Sequence, residues 1–144
     1  MPLYFAYGAN MDTQAMASRC PRSRPLGRAR LARHRLFIMA EGFASIVQDP
    51  RANVHGVLWD LALSDVPALD RFEDIACGLY KKIQQPVLRE PFGSARAFVY
   101  VGHWAEPGAP RPGYIEGVAA AARQWELPKP YVAYLENLAA VPAR

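Results

Sequence analysis

No stretch of the chain approaches the roughly 18 consecutive apolar residues that a membrane-spanning helix requires. The opening Met1-Pro2-Leu3-Tyr4-Phe5-Ala6-Tyr7 also lacks the basic segment and long apolar run of a secretory leader. Cysteine is scarce: Cys20 and Cys77 stand far apart, in no metal or redox spacing, which points to two free thiols and a cytoplasmic protein. Neither a G-x-G-x-x-G nor a G-x-x-x-x-G-K-[ST] loop is present, so the common phosphate-cradling fingerprints are missing. No serine sits in a G-x-S-x-G elbow, which leaves a Ser-His-Asp hydrolase without an anchor. His34, His55 and His103 show no ligand spacing, so no metal site is expected.

Acid is nearly absent from the first 40 residues, where seven arginines face the single Asp12 for a net +6. The remaining residues carry ten basic and twelve acidic side chains. The cluster Arg19, Arg22, Arg24, Arg28, Arg30, Arg33 and Arg35 reads either as a phosphate or nucleic-acid surface or as a solvated loop and strand edge. No Phe, Tyr or Trp lies between Tyr7 and Phe37, so nothing there could stack bases, and no nucleic-acid partner is expected.

What is present is ordinary globular composition, 51% hydrophobic and 21% charged, in a 144-residue chain of one domain's length. Leu3–Tyr7 reads as a strand ended by Gly8, followed by a brief helix over 11–19 and an irregular connection imposed by Pro21 and Pro25. Alternation predicts strands over Ala29–Met39 and Ala44–Gln48 around a Glu41-Gly42 turn, a second turn at Asp49–Asn53, and a strand over Val54–Leu61. Ser64 is a candidate cap for a helix running to about Asp74. A hairpin over Leu79–Arg89 and Ala95–Gly102, a proline-glycine loop at Ala105–Pro112, and helices over Tyr114–Trp125 and Tyr131–Ala139 complete the chain. The fold class is therefore α+β: a small mixed β-barrel of about six strands with flanking helices, residues 1–144 forming a single domain.

Two local features bear on chemistry. On the helix expected over 64–74, Val66, Leu69 and Phe72 form the apolar stripe. At about 100° per residue, Glu73 falls roughly 40° from its centre, Asp70 lies at its edge and Asp74 points away. A carboxylate facing a core either pairs with a cation or is used, and desolvation raises its pKa toward the range of a general acid/base. The second feature is Tyr7-Gly8-Ala9-Asn10, a strand end and tight loop whose N–H groups could meet an anion or could simply form a turn. Cys77 is either a thiol nucleophile or a small buried hydrophobe. Tyr80 and Tyr100 are either pocket walls or core residues.

Taken in order, Tyr4-Phe5-Ala6-Tyr7-Gly8-Ala9-Asn10, Val54-His55-Gly56-Val57-Leu58-Trp59, Leu69-Asp70-Arg71-Phe72-Glu73 with Gly78-Leu79-Tyr80, and Ala97-Phe98-Val99-Tyr100 resemble the gamma-glutamylcyclotransferase superfamily, which includes the gamma-glutamylamine cyclotransferases and the AIG2-like proteins. The resemblance runs from about residue 3 to 102 and, more loosely, through the C-terminal helices. It implies a cyclising, acyl-transferring enzyme that releases 5-oxoproline from a small gamma-glutamyl compound, as a monomer or homodimer, without metal or cofactor. By position it implies Glu73 as the proton-transfer residue, Tyr7, Gly8, Ala9 and Asn10 as the substrate loop, and Tyr80 and Tyr100 as substrate-binding walls, with Phe98 an alternative to Tyr100 by a two-residue shift. Ala9 stands where the common pattern has Ser, so any contribution from that hydroxyl is lost while backbone donors remain. An amide hydrolase or deprotecting enzyme, and a non-catalytic module that binds a small acid, are the alternatives the same residues leave open.

Overall fold

The computed structural model describes residues 2–73, 80–102 and 107–139. Five strands close into one barrel: β1 (Leu3–Ala6), β2 (Arg24–Ile38), β3 (Ala44–Asp60), β4 (Tyr80–Arg89) and β5 (Ser94–Gly102). Their order around the barrel is β1-β3-β2-β4-β5. β1 pairs antiparallel with β3 from Leu3↔Asp60 to Ala6↔Val57, and parallel with β5 at Tyr4↔Phe98. Closure gives every strand two neighbours and buries alternate residues inside the barrel. On β2, Ala29 and Leu31 are buried while Arg30 is exposed, the two-residue period expected of a strand with one wet face. Phe5 and Leu58 are fully buried, each stabilising the core by about 2–3 kcal/mol.

The strand count corrects the expectation of about six. Asp49–Asn53 is not a turn between strands, because β3 runs through it without ending. Its turn chemistry instead produces a bulge. The β2–β3 register passes from Ala32↔Asn53 to His34↔Gln48, so that Arg33, at φ 62°, alone faces the extra residues 49–52. Pro50, which has no N–H to donate, sits within the bulge. β2 also begins at Arg24 rather than Ala29, so the segment expected to be irregular after Pro21 is already strand.

Five of the seven clustered arginines are dispersed along that strand, and Arg19 and Arg22 precede it. Arg24 pairs with Asp60, Arg28 with Glu90 and Arg35 with Asp49, which fits the solvated-edge reading. These pairs are largely exposed, and each is worth about 0–1 kcal/mol.

Helices flank the barrel. The helix expected over 11–19 divides into a 3-10 turn (Ala9–Met11) and α1 (Thr13–Arg19), separated by Asp12, whose carboxylate accepts from the N–H groups of Gln14 and Ala15. The expected 64–74 helix shortens to a 3-10 turn (Leu63–Asp65) and α2 (Val66–Phe72). Ser64 caps neither segment, and the Asp65 carboxylate turns instead to the Arg22 N–H and the Ser23 hydroxyl, at 3.0 and 2.8 Å. α3 (Tyr114–Gln124) buries Ile115, Val118 and Ala122 at helical spacing, as the sequence predicts. α4 (Lys129–Ala139) starts two residues earlier than predicted. The Trp125 indole N–H donates to the Met11 carbonyl at 2.8 Å and ties the end of α3 to the turn after β1. None of the described helices is long and apolar enough to cross a membrane. Cys77 and Gly78 lie outside the described residues, as do Asp74, Leu79, His103 and the Ala105 end of the loop.

Two glycines give a contrasting test of packing. A Cβ on Gly56 would stand 2.3 Å from the Ala6 carbonyl oxygen, a backbone atom that cannot swing aside. Gly117, inside α3, has nothing within 4 Å. Gly56→Ala is expected to destabilise by about 2 kcal/mol or more. Gly117→Ala should stabilise by about 0.5–1 kcal/mol through helix propensity. Urea midpoints of the two variants check both signs.

Candidate active site

At one end of the barrel the segment after β1, α1, the end of α2 and the start of α3 surround a cavity of about 300 Å³. Tyr7, Gly8, Ala9 and Asn10 form one wall of it, and Glu73, Tyr80 and Tyr100 line the rest together with Tyr4, Arg19, Phe43, Ala44, Phe72 and Tyr114. The structure therefore brings Tyr7, Gly8, Ala9, Asn10, Glu73, Tyr80 and Tyr100 to one cavity. Phe98 does not border it. Its ring stacks on Tyr4 at 5.2 Å, while Tyr100, two residues on, lines the cavity.

The loop's course follows from close approach. A Cβ on residue 8 would lie 3.1 Å from the Tyr114 hydroxyl oxygen, so glycine lets the backbone run against that phenol. The N–H groups that open the Ala9–Met11 turn have no acceptor within the turn itself. Asn10, 2% exposed, is held by its side chain: Arg19 Nη1 donates to Asn10 Oδ1 at 2.7 Å, and Asn10 Nδ2 donates to Tyr4 Oη at 3.2 Å. The Arg19 guanidinium lies over the Phe72 ring, 3.6 Å from its centroid. That contact corrects the expected apolar stripe of α2, because Phe72 is 42% exposed beneath Arg19 and only Leu69 is fully buried.

Glu73 is not inside the helix but at its C-cap, φ −83° and ψ 0°, with its N–H donating to the Leu69 carbonyl at 3.0 Å. Among the described residues none donates a hydrogen bond to its carboxyl group and none forms an ion pair with it. Burial raises its pKa to about 7, and the Arg19 guanidinium nearby lowers it only in part. Asp70, at the edge of the same helix, is engaged elsewhere. It accepts from the Tyr100 hydroxyl at 2.6 Å, and Lys82 Nζ lies 3.0 Å away.

The phenols stay protonated. Burial pushes Tyr4, Tyr7, Tyr80 and Tyr100 above the usual phenol range, and Tyr114 up to about 12 against the opposing Ala44 N–H. At neutral pH the cavity wall is thus a set of uncharged hydroxyls around one carboxyl group poised to gain or lose a proton and one permanent cation, Arg19. Tyr7 donates to the Tyr100 carbonyl at 2.5 Å, and Tyr80 donates to the Ala44 carbonyl at 2.6 Å.

Tyr4, Arg19, Phe72 and Tyr114 carry the site without having been assigned to it from the sequence. Arg19 is hidden among the other arginines, and Tyr114 begins a helix 41 residues after Glu73, where no spacing rule applies. The other candidates lie elsewhere. His34 bonds the Ala32 carbonyl of its own strand and the His55 ring packs on Tyr131, 4.8 Å between centroids. The Cys20 thiol is buried and its pKa pushed up to about 11, which suits an inert core residue. Among the described residues no group of three His, Cys, Asp or Glu side chains could hold a metal.

Glu73 makes a signed prediction. A carboxyl whose folded pKa is near 7, against 4.5 when free, binds its proton more tightly folded than unfolded. Wild-type stability must then fall as pH rises between those values, and Glu73→Gln should escape the loss. The variant is expected to match the wild type below pH 4.5 and to exceed it, on the order of 2 kcal/mol, above pH 7. Thermal melts across that range check it.

Comparison with known proteins agrees with this fold. The sequence model of the AIG2-like family matches residues 53–135. The gamma-glutamylcyclotransferase of Mus musculus is 30% identical over 139 residues, covering 90% of this chain and 74% of the mouse protein. That of Homo sapiens is 30% identical over 149 aligned positions, covering 96% and 78%. A solved structure of a gamma-glutamyl cyclotransferase superposes with a TM-score of 0.85 at 28% identity, covering 99% of this chain and 89% of that one.

Proposed function

Because the chain belongs to the AIG2-like, gamma-glutamylcyclotransferase superfamily, we propose that it releases 5-oxoproline and an amine or amino acid from a small gamma-glutamyl compound, with Glu73 as its acid/base. The observation that carries the reading is the half-buried Glu73 carboxyl, its pKa raised to about 7, in a cavity of about 300 Å³ beside the Tyr7–Asn10 loop. A cavity of that size suits a small ligand.

The chemistry fits one carboxyl group. The substrate's alpha-ammonium must lose a proton before its nitrogen can attack the gamma-carbonyl carbon. Ionised Glu73 accepts that proton. As the ring C–N bond forms, charge gathers on the carbonyl oxygen, where N–H groups of the loop meet it at about 3 kcal/mol per donor. The exocyclic C–N bond then breaks, and Glu73-H returns a proton to the departing nitrogen. Across the reaction the protons lost by the substrate's ammonium are those gained by the leaving amine, so no net acid or base is consumed. Because the attack is intramolecular, orientation supplies much of the rate. In this reading Tyr80 and Tyr100 present hydroxyl oxygens to the substrate, and the protein works in the cytoplasm.

Incubation with gamma-glutamyl amino acids, amines and peptides, followed by mass spectrometry, should show 5-oxoproline from at least one class. Glu73→Gln should reduce that turnover roughly 100-fold or more. Free glutamate in place of 5-oxoproline would make the protein a hydrolase, and a Glu73→Gln protein with full turnover would remove Glu73 from the mechanism.

A further inference from the structure

Five tyrosine side chains border the cavity, and their hydrogen bonds do not all run the same way. Tyr7 and Tyr80 give their protons to carbonyl oxygens, and Tyr100 gives its proton to Asp70. A carbonyl or carboxylate can only accept, so these three phenols retain only lone pairs for a ligand. Tyr114 is the reverse: its oxygen accepts from the Ala44 N–H at 3.2 Å. Tyr4 is the reverse as well, and its direction is set by a relay. A guanidinium cannot accept, so the Asn10 atom facing Arg19 must be Oδ1, and the atom facing Tyr4 must be the amide NH₂, which can only donate. Among the described residues neither Tyr4 nor Tyr114 donates to any group, and each therefore keeps its own proton for the cavity.

The cavity phenols are thus of two kinds, with Tyr7, Tyr80 and Tyr100 as acceptors and Tyr4 and Tyr114 as donors. We propose that Tyr4 and Tyr114 are the side-chain donors to the oxyanion that forms on the gamma-carbonyl, with Asn10 and Arg19 as positioning residues that hold the Tyr4 proton toward the cavity. The assignment rests on the cyclisation reading above. It gives the substrate one orientation: the ammonium can be met only by lone pairs and the Glu73 carboxylate, and the developing oxyanion only by protons.

Steady-state kinetics of 5-oxoproline release test it. Tyr4→Phe and Tyr114→Phe should each lower kcat about 10–100-fold with KM within about 2-fold, because the contact strengthens only as the oxyanion forms. Asn10→Asp keeps the side-chain shape and the Arg19 bond but offers Tyr4 an acceptor, which draws the phenol proton out of the cavity. It should lower kcat as Tyr4→Phe does, and the Asn10→Asp/Tyr4→Phe double variant should fall no further than Tyr4→Phe alone. A structural role alone would give losses that add and that follow the melting temperature. Wild-type release of 5-oxoproline with Tyr4→Phe and Asn10→Asp both at wild-type kcat would overturn the assignment and leave the cyclisation reading intact. No 5-oxoproline from the wild type would overturn both.

Discussion

Four residues of β1 hold the site together, because they are bonded on both edges at once. The antiparallel ladder to β3 and the parallel bridge Tyr4↔Phe98 to β5 close the barrel on this short strand. The chain leaves its last ladder pair, Ala6↔Val57, directly into the Tyr7–Asn10 loop, so the position of that loop is set by the barrel and not by a flexible tether. Gly56 lets the strands approach closely at that point. The same bridge stacks Tyr4 on Phe98 and places its ring edge against Tyr100, at 5.2 and 5.6 Å, which brings two cavity tyrosines together from neighbouring strands. From outside the barrel, Trp125 holds the Met11 carbonyl and fixes the far end of the loop.

A cavity walled by neutral phenols is a poor solvent for charge, and this sets the behaviour of Glu73. Its backbone N–H is held at the end of α2 by the Leu69 carbonyl while its carboxyl oxygens find no partner among the described residues, so burial dominates its titration. Arg19 is near enough to oppose that effect but is anchored to Asn10 and stacked on Phe72. Had it closed on Glu73 as an ion pair, the carboxylate would stay ionised and could not return a proton. The dispositions of Arg19 and Tyr4 are likewise coupled: the same hydrogen bond that keeps the cation on Asn10 directs the amide toward Tyr4.

Much of this was legible along the chain, where local rules apply. Alternation gave most of β2 and the start of β3, the expected hairpin matches β4 and β5, and helical spacing gave the buried face of α3. The sequence placed the loop at Tyr7–Asn10 and a desolvated carboxylate at Glu73, although Glu73 proved to be a helix cap and not a helix-face residue. The turn expected at Asp49–Asn53 proved to be a bulge within β3, because only the partner strand shows that pairing resumes beyond it. Arg19, Phe72 and Tyr114 join the site through contacts between segments distant in sequence, and no periodicity within one element reports those. Hydroxyl direction is further removed still, since it depends on which atom each oxygen meets in the folded barrel.

The proposed chemistry stands on the state of one carboxyl group, which can be observed directly. The side-chain carboxyl ¹³C resonance of Glu73, assigned by its loss in Glu73→Gln and followed from pH 3 to pH 9, reports its protonation without reference to any substrate. A midpoint near 7 is the result expected of a carboxyl desolvated in this cavity and able to accept and return a proton at neutral pH. A midpoint at the ordinary value of 4.5 would mean a solvated or ion-paired side chain, and would contradict the role assigned to Glu73.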